Sequence, residues 1–422
     1  MPLELKNKRV TVIGAQRSGI AVANLVTNLK GKVKISECGP RQQSEKNLAK
    51  LISPQNVEHE WNGHSQPFIE ESDLVVLSPG IRLDALPVQW ARAKGIPVLG
   101  EIELAWQFCS KPVIAVTGSN GKTTVVTLIT RFLENGGKRV VLCGNMGIPF
   151  SEQVLDLPKK DLVVLEISSF QLESILTFRP HVAVFLNFNQ NHLDRHKDLN
   201  EYLEAKKRIF FNQTSSDYAV LNYQSAQIRD SSSAISSQVR YFNHPDVVRG
   251  ASIKNPNYLA AMTVAGILGV EETVCHQAFD SFKGVEHRLE WVRSVAGVDF
   301  INDSKSTTAE AGRWAMQSFN RKVIMICGGR DKNIDFSVLR DVVQEKVRKM
   351  IVIGESKEKI KRSFSDVVPI EECATLLEAV KTARKNAVAG ECVLFSPMCT
   401  SFDMFSNFEE RGMVFKEIVQ QL

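Results

Sequence analysis

Val116-Thr117-Gly118-Ser119-Asn120-Gly121-Lys122-Thr123-Thr124 decides how this chain is read. The apolar run 113–117 precedes the glycines, and helix-forming residues with apolar spacing begin near Lys122. A glycine-rich turn between a strand and a helix aims backbone N–H groups at one point, where the helix dipole adds positive potential. Such a loop binds phosphate. Lys122 reaches the β/γ-phosphates of a nucleotide, and Thr123 offers its hydroxyl to Mg²⁺. The long Gly-x4-Gly-Lys-Thr pattern is not met, because residue 116 is valine. The shorter Gly-x-x-Gly-Lys-Thr-Thr stands.

Outward from this loop, strands are expected at 140–143, 161–167 and 182–185. In parallel α/β sheets ligands collect beyond the carboxyl ends of the strands. Glu166 sits at such an end and suits Mg²⁺. Asn187-Phe-Asn-Gln-Asn191-His192-Leu-Asp194-Arg195-His196 follows the next strand. A helix over about 200–211 then carries Lys206, Lys207 and Arg208. The serine-rich stretch 226–239 reads as a loop. Residues 256–268 read as a helix, with Pro256 suited to its first turn.

The N-terminal part repeats the alternation. A strand at 9–13 leads into Gly14-x4-Gly19 and a helix over 20–29, followed by strands at 32–36 and 73–77 and then Ser78-Pro79-Gly80. Residue 16 is Gln, so the middle glycine of the dinucleotide fingerprint is missing and a nicotinamide or flavin site is disfavoured. A phosphate-binding turn and a purely structural one both fit. In the C-terminal part strands are expected near 300–303, 322–327, 350–353 and 392–395, with a helix over 307–318. Three polar rims follow strands there: Asn302 to Thr308, Cys327 to Lys332, and Ser396 to Gly412. The expected fold is α/β in three domains: 1–110 Rossmann-like, 111–290 a central P-loop ATPase domain, and 291–422 Rossmann-like.

Composition agrees. A chain of 422 residues holds about three domains. Hydrophobic residues make up 43% and charged residues 23%, which excludes wholesale disorder. No apolar run approaches the roughly 18 residues of a membrane span. The first residues lack a leader's apolar segment, so a soluble, cytoplasmic protein is expected. The net charge of +5 suits phosphate-rich small molecules, and no nucleic-acid signature accompanies it. The eight cysteines form no Cys-x-x-Cys pair, which argues for reduced thiols and against zinc.

Taken together, Thr-Gly-Ser-Asn-Gly-Lys-Thr-Thr, Leu-Glu166-Ile-Ser-Ser-Phe-Gln-Leu, His192-Leu-Asp, His287-Arg288, Ile-Asn-Asp-Ser-Lys305 and Ser-Pro-Met-Cys-Thr-Ser-Phe-Asp-Met-Phe resemble the Mur ligase family over nearly the whole chain. The Ser-Ser-Phe-Gln-Leu run and the Ser-Phe-Asp-x-Phe-x-Asn-Phe-Glu-x-Arg-Gly ending resemble its D-glutamate-adding members. The resemblance implies an ATP-dependent amide ligase that joins D-glutamate to UDP-N-acetylmuramoyl-L-alanine through an acyl phosphate, in peptidoglycan precursor synthesis. It implies UDP-sugar contacts at Gly14, Ser18, Glu37, Ser78, Gly80, Asn145 and Ser168. ATP would meet Gly118, Ser119, Asn120, Gly121, Lys122, Thr123, Thr124, Asn145, Asn257, Arg288 and Asp303. Thr123 and Glu166 would hold one Mg²⁺. His192 and a carbamylated Lys206 would hold a second, the carbamate turning a repelling cation into an anionic ligand. Lys122, Glu166, His192 and Lys206 are then the catalytic set. D-glutamate would meet Lys305, Thr307, Lys332, Ser401, Phe402 and Phe408.

Three departures from the family pattern stand out. Asn191 replaces the usual aspartate before His192, and Lys254 replaces the first asparagine of the adenine-side motif, with Asn255 as its substitute. The pattern that usually ends in asparagine reads Ser306-Thr307-Thr308. Another amide ligase of the superfamily, with a different amino acid, and an inactive nucleotide-binding homologue are the alternatives. A monomer with only small-molecule partners is expected, without nucleic acid or membrane.

Overall fold

The computed structural model describes residues 3–189, 195–251, 253–282, 284–331 and 334–422. Asn191, His192 and Lys332 lie outside them. The chain divides into two compact units, Met1–Phe282 and Lys283–Leu422.

The first unit carries two parallel sheets. Strands β1 (Arg9–Ile13), β2 (Lys32–Ser36), β3 (Val57–Glu60), β4 (Leu74–Leu77) and β5 (Val98–Gly100) lie in the order β3-β2-β1-β4-β5. Leu74 to Leu77 are all buried, as a continuous apolar run in a parallel sheet should be. The strand order reverses at β1, which opens a crevice beyond its carboxyl end. The helix Arg17–Asn28 leaves from that crevice. Gly19 lies so close to the turn that a Cβ there would stand 1.9 Å from the Gly14 carbonyl oxygen.

The second sheet comprises β6 (Val113–Thr117), β7 (Val140–Gly144), β8 (Leu162–Glu166), β9 (Val182–Phe185), β10 (Tyr218–Asn222) and β11 (Gln238–Phe242), in the order β11-β10-β9-β6-β8-β7. β6 is central, so the glycine loop after it lies between the ends of β8 and β9. The stretch 226–239 and the residues up to 242 are not irregular, as the loop expected over 226–239 would be. They form the helix Ala226–Asp230, a 3₁₀ turn at Ser231–Ala234, and β11, which pairs in parallel with β10. Buried Ile228 anchors the helix, and the serines only mask the alternating pattern of an edge strand.

The two sheets share one apolar core. It runs from Val10, Val12 and Val76 of the first sheet to Val113, Val163 and Phe185 of the second. Buried carboxylates also join them. Glu103, on the helix Glu101–Trp106 after β5, accepts the backbone N–H groups of Leu176 at 2.8 Å, Thr177 at 3.0 Å and Phe178 at 3.1 Å. Glu101 accepts that of Ser151 at 2.7 Å, and burial pushes its pKa up.

The second unit holds β12 (Glu290–Val295), β13 (Val298–Asn302), β14 (Val323–Gly328), β15 (Val347–Ile353), β16 (Ile370–Glu372) and β17 (Cys392–Phe395), in the order β12-β13-β17-β14-β15-β16. β12 runs antiparallel to β13, and the other pairs are parallel. Helices cover both faces over separate apolar layers, with Phe336 and Phe364 in one and Phe395 and Phe415 in the other.

Candidate active site

The glycine loop adopts the backbone expected of it. Gly118 has φ of +156° and Gly121 of +80°, and Gly121 opens the helix Lys122–Asn135. A neighbour that the sequence reading left without a role holds the loop in place. Asn187, just past β9, accepts the Ser119 N–H on its main-chain oxygen at 3.0 Å. Its Oδ1 accepts the Asn120 N–H at 2.8 Å, and its Nδ2 donates to the Asn120 carbonyl at 3.1 Å. Lys122 Nζ donates to the carbonyls of Gly118 at 2.8 Å and Ser119 at 3.2 Å. Thr124 follows in the first helical turn. A Cβ on Gly121 would stand 2.7 Å from Asn257 Oδ1, so Asn257 lies directly against the loop. Asn255 caps the helix Pro256–Ile267, its Oδ1 accepting the N–H groups of Asn257 at 2.9 Å and Tyr258 at 3.3 Å. That leaves Asn257 as the asparagine facing the loop.

Adjacent strand ends bring the proposed metal ligands together. Thr123 Oγ1 donates to Glu166 Oε2 at 2.7 Å, and Asn145 Nδ2 donates to Glu166 Oε1 at 2.9 Å. A buried carboxylate beside a hydroxyl is an oxygen donor set that suits Mg²⁺. Lys206 approaches from the helix Leu199–Lys207 and is 1% exposed. Its Nζ donates to the Gly118 carbonyl at 3.0 Å and lies 4.7 Å from the Tyr202 ring centroid. Burial, and then the charge of Lys122, hold its pKa well below the usual lysine range. Ser168 begins the helix Ser169–Glu173 in a reciprocal cap: it accepts the Gln171 N–H at 3.3 Å, while Gln171 Oε1 accepts the Ser168 N–H at 2.9 Å.

The crevice of the first sheet gathers Gly14, Glu37 and Ser78 at the ends of β1, β2 and β4. Gly14 has φ of +98°, and Ser78 Oγ donates to its carbonyl at 3.3 Å. Glu37 accepts the N–H groups of Ala15 at 2.8 Å and Gly39 at 3.1 Å. Burial raises the Glu37 pKa, but these donors prevail and hold it below the usual value. Ser18 lies in the first turn of the helix Arg17–Asn28, half-buried. A Cβ on Gly80 would meet nothing within 4 Å.

In the second unit Asp303 follows β13 and accepts Ser396 Oγ at 2.8 Å and the Leu289 N–H at 3.2 Å. Burial pushes its pKa up to about 7. Arg288 Nε is buried with no hydrogen-bond partner among the described residues. Lys305 Nζ lies 5.9 Å from the Phe408 ring centroid. Ser401 is buried, Thr307 half-buried and Phe402 exposed. Arg411, which the sequence places in the third rim without a role of its own, joins two of the polar rims. It donates to the Ser304 carbonyl at 2.7 Å, to Ser304 Oγ at 3.0 Å and to the Cys399 carbonyl at 3.0 Å.

Comparison with known proteins agrees with this arrangement. Family profiles match in series: "Mur ligase MurD-like, N-terminal domain" over residues 8–100, "Mur ligase middle domain" over 116–262, and "Mur ligase, glutamate ligase domain" over 287–399. A UDP-N-acetylmuramoylalanine–D-glutamate ligase of Pelodictyon phaeoclathratiforme is 38% identical, the match covering 100% of this chain and 99% of that protein. The protein of the same name from Koribacter versatilis is also 38% identical, with 100% and 99% covered. Among solved structures, the UDP-N-acetylmuramate-alanine ligase of Thermotoga maritima shares the fold with a TM-score of 0.62 at 17% identity, over 98% of this chain and 99% of that one. A pseudomurein peptide ligase of Methanothermus fervidus does so with a TM-score of 0.58 at 17% identity, over 98% and 100%. With relatives this similar along its whole length, the chain belongs to the Mur ligase family.

Proposed function

We propose that the chain joins the terminal carboxylate of UDP-N-acetylmuramoyl-L-alanine to the amine of D-glutamate at the expense of ATP, in the cytoplasm, as a monomer. The observation that carries this reading is the meeting of Thr123 and Glu166 beside Lys122 on a glycine loop. The choice of D-glutamate rests on the likeness to the ligases of that name.

The loop amides of 118–124 and Lys122 bind the ATP phosphates. They neutralise charge on the γ-phosphoryl oxygens as the sugar-borne carboxylate oxygen attacks phosphorus and ADP departs, leaving an acyl phosphate. Phosphoryl transfer asks for little beyond such positioning and charge. The D-glutamate amine then attacks the acyl carbon, loses a proton, and phosphate leaves as the amide forms. Bound magnesium would supply further charge neutralisation at the phosphates. Thr123 and Glu166 would hold one ion, and His192 with Lys206 a second. The buried, depressed lysine favours the neutral amine, the form that adds CO₂ with loss of a proton to give an anionic carbamate. Asn145 and Ser168 would face the reacting carboxylate. Gly14, Ser18, Glu37, Ser78 and Gly80 would take the UDP-sugar, with Glu37 accepting from the ribose or base. Asn257, Arg288 and Asp303 would serve ATP. Lys305, Thr307, Lys332, Ser401, Phe402 and Phe408 would serve D-glutamate, whose two carboxylates call for cations and hydroxyls. Domain limits of 1–110, 111–290 and 291–422 accompany this division of labour.

Phosphate release from ATP and Mg²⁺ with UDP-N-acetylmuramoyl-L-alanine tests the reading, run with and without D-glutamate and against other amino acids. Release that needs both substrates and prefers D-glutamate is expected. Release with another amino acid would move the specificity. No release with any amino acid would sink the reading. A carbon-13 carbamate signal from labelled bicarbonate, absent in Lys206→Met, tests the modification.

A further inference from the structure

Arg195 and Arg82 fasten the two sheets of the first unit to each other. Arg82 follows the Ser78–Ile81 loop beyond β4, and Arg195 lies between β9 and the helix Leu199–Lys207. Arg195 Nη1 donates to the Gly80 carbonyl at 2.9 Å, and Nη2 donates to the Ile81 carbonyl at 3.1 Å. Nη2 also donates to Glu173 Oε2 at 2.9 Å, and the guanidinium carbon lies 5.2 Å from the Phe170 ring centroid. In return, Arg82 Nη1 donates to the Arg195 main-chain carbonyl at 3.0 Å. Asp84 orients Arg82 through its Nε at 2.8 Å and its Nη2 at 3.0 Å.

The far end of this fastening is itself built in. Phe170 and Glu173 belong to the helix that Ser168 begins. Glu173 Oε1 lies 3.7 Å from His196 Nδ1, and His196 Nε2 lies 3.0 Å from Ser169 Oγ. The Arg195 side chain is only 11% exposed. A cavity of about 440 Å³ opens beside it, lined in part by Arg82, Glu173, Arg195 and Arg208. Arg208 donates to the carbonyls of Leu172 at 2.8 Å and Ile175 at 2.7 Å, so these charges brace the protein.

We propose that Arg195 is a positioning residue. It sets the loop of the first sheet that grips the substrate's diphosphate at a fixed span from Ser168 and the glycine loop of the second. The proposal rests on reading Ser78 and Gly80 as UDP-sugar contacts. The substrate is held at its diphosphate and reacts at its far carboxylate, so a shift of that loop carries through to the attacking oxygen. A misplacement of about 1 Å costs about 100-fold in rate. Two carbonyls and a carboxylate on one planar fork fix direction as well as distance, which a lysine ammonium does not.

The test uses the full chain as Arg195→Met and Arg195→Lys. UDP, the fragment that would touch only the first sheet, should bind Arg195→Met within about threefold of wild type, since Gly14, Glu37 and Ser78 would meet it at neighbouring strand ends of that one sheet. The KM for ATP should move no further than that. The kcat should fall by about 100-fold in Arg195→Met, with Arg195→Lys between that variant and wild type. Wild-type kcat in a folded Arg195→Met overturns the proposal. Full recovery in Arg195→Lys overturns it too, and so does a parallel loss of UDP binding, ATP binding and melting temperature. The underlying reading is tested separately by Gly80→Val. Its new side chain starts from open space, so the fold should stand while UDP binding fails. Undiminished UDP affinity there would sink the reading of the loop, whatever Arg195 does.

Discussion

Lys206 stands where the fold does not favour a cation. Its Nζ sits on a main-chain carbonyl, out of water, with Lys122 nearby. A depressed lysine pKa means that the unfolded chain binds the proton more readily, so stability is lost as pH falls from about 10.4 towards the folded value. At neutral pH that cost is present. Lys206→Met should therefore stabilise the protein by about 1 kcal/mol while abolishing turnover; melting curves at pH 7 and phosphate release check both halves. Asp303 carries the opposite shift. Burial raises its pKa to about 7, so the folded state holds the proton more tightly than the unfolded one. The stability this gives is full below about 4 and is lost as pH rises through about 7. Asp303→Asn removes that dependence. The difference in melting temperature between wild type and variant should thus shift against the wild type from pH 4 to pH 8, and a constant difference would refute the shift.

Gly19 shows how an element depends on one missing atom. With a Cβ only 1.9 Å from the Gly14 carbonyl, Gly19→Ala must push the helix Arg17–Asn28 off the crevice. A loss of about 2–3 kcal/mol in denaturant melts is expected, together with weakened UDP binding. At this scale the sequence was legible where a strand is a clear apolar run, edge strand β7 included, although interior β10 was passed over. β4, β6, β8, β9, β14 and β17 are near-continuous apolar runs, and their expected positions, like those of the more mixed β1 and β2, agree with the structure within one or two residues. β3, β5, β11, β12 and β16 lie at sheet edges, where half the side chains meet water and the runs are short. Their pattern fades into the loops around them; in β12 an exposed Trp291 breaks it outright. The site divides in the same way. Gly118 to Thr124 and Glu166 each lie in a contiguous motif. Asn187 and Arg195 act through partners in other segments of the chain, and Arg411, although it stands within a contiguous motif, shows its pairing with Ser304 only in the fold.

At the scale of the whole molecule the three sheets mark three domains, and the first two are joined through their apolar side chains. The first and second sheets share a core that runs from Val10 to Phe185, whereas residues 283–422 form a unit with cores of their own. An isolated segment 1–110 would leave that shared apolar surface in water. It should lack a cooperative melt and bind a hydrophobic dye, whereas 1–282 should unfold cooperatively; a cooperative 1–110 would contradict the shared core. Glu103 gives this union a further use. It draws the amide hydrogens of Leu176, Thr177 and Phe178, in the segment that leads to β9, onto a carboxylate of the helix that follows β5. Their exchange with deuterated solvent is slow only while both partners stay in place. Three consecutive amides thus form an intrinsic gauge, readable by mass spectrometry without any label, of how often the two sheets part.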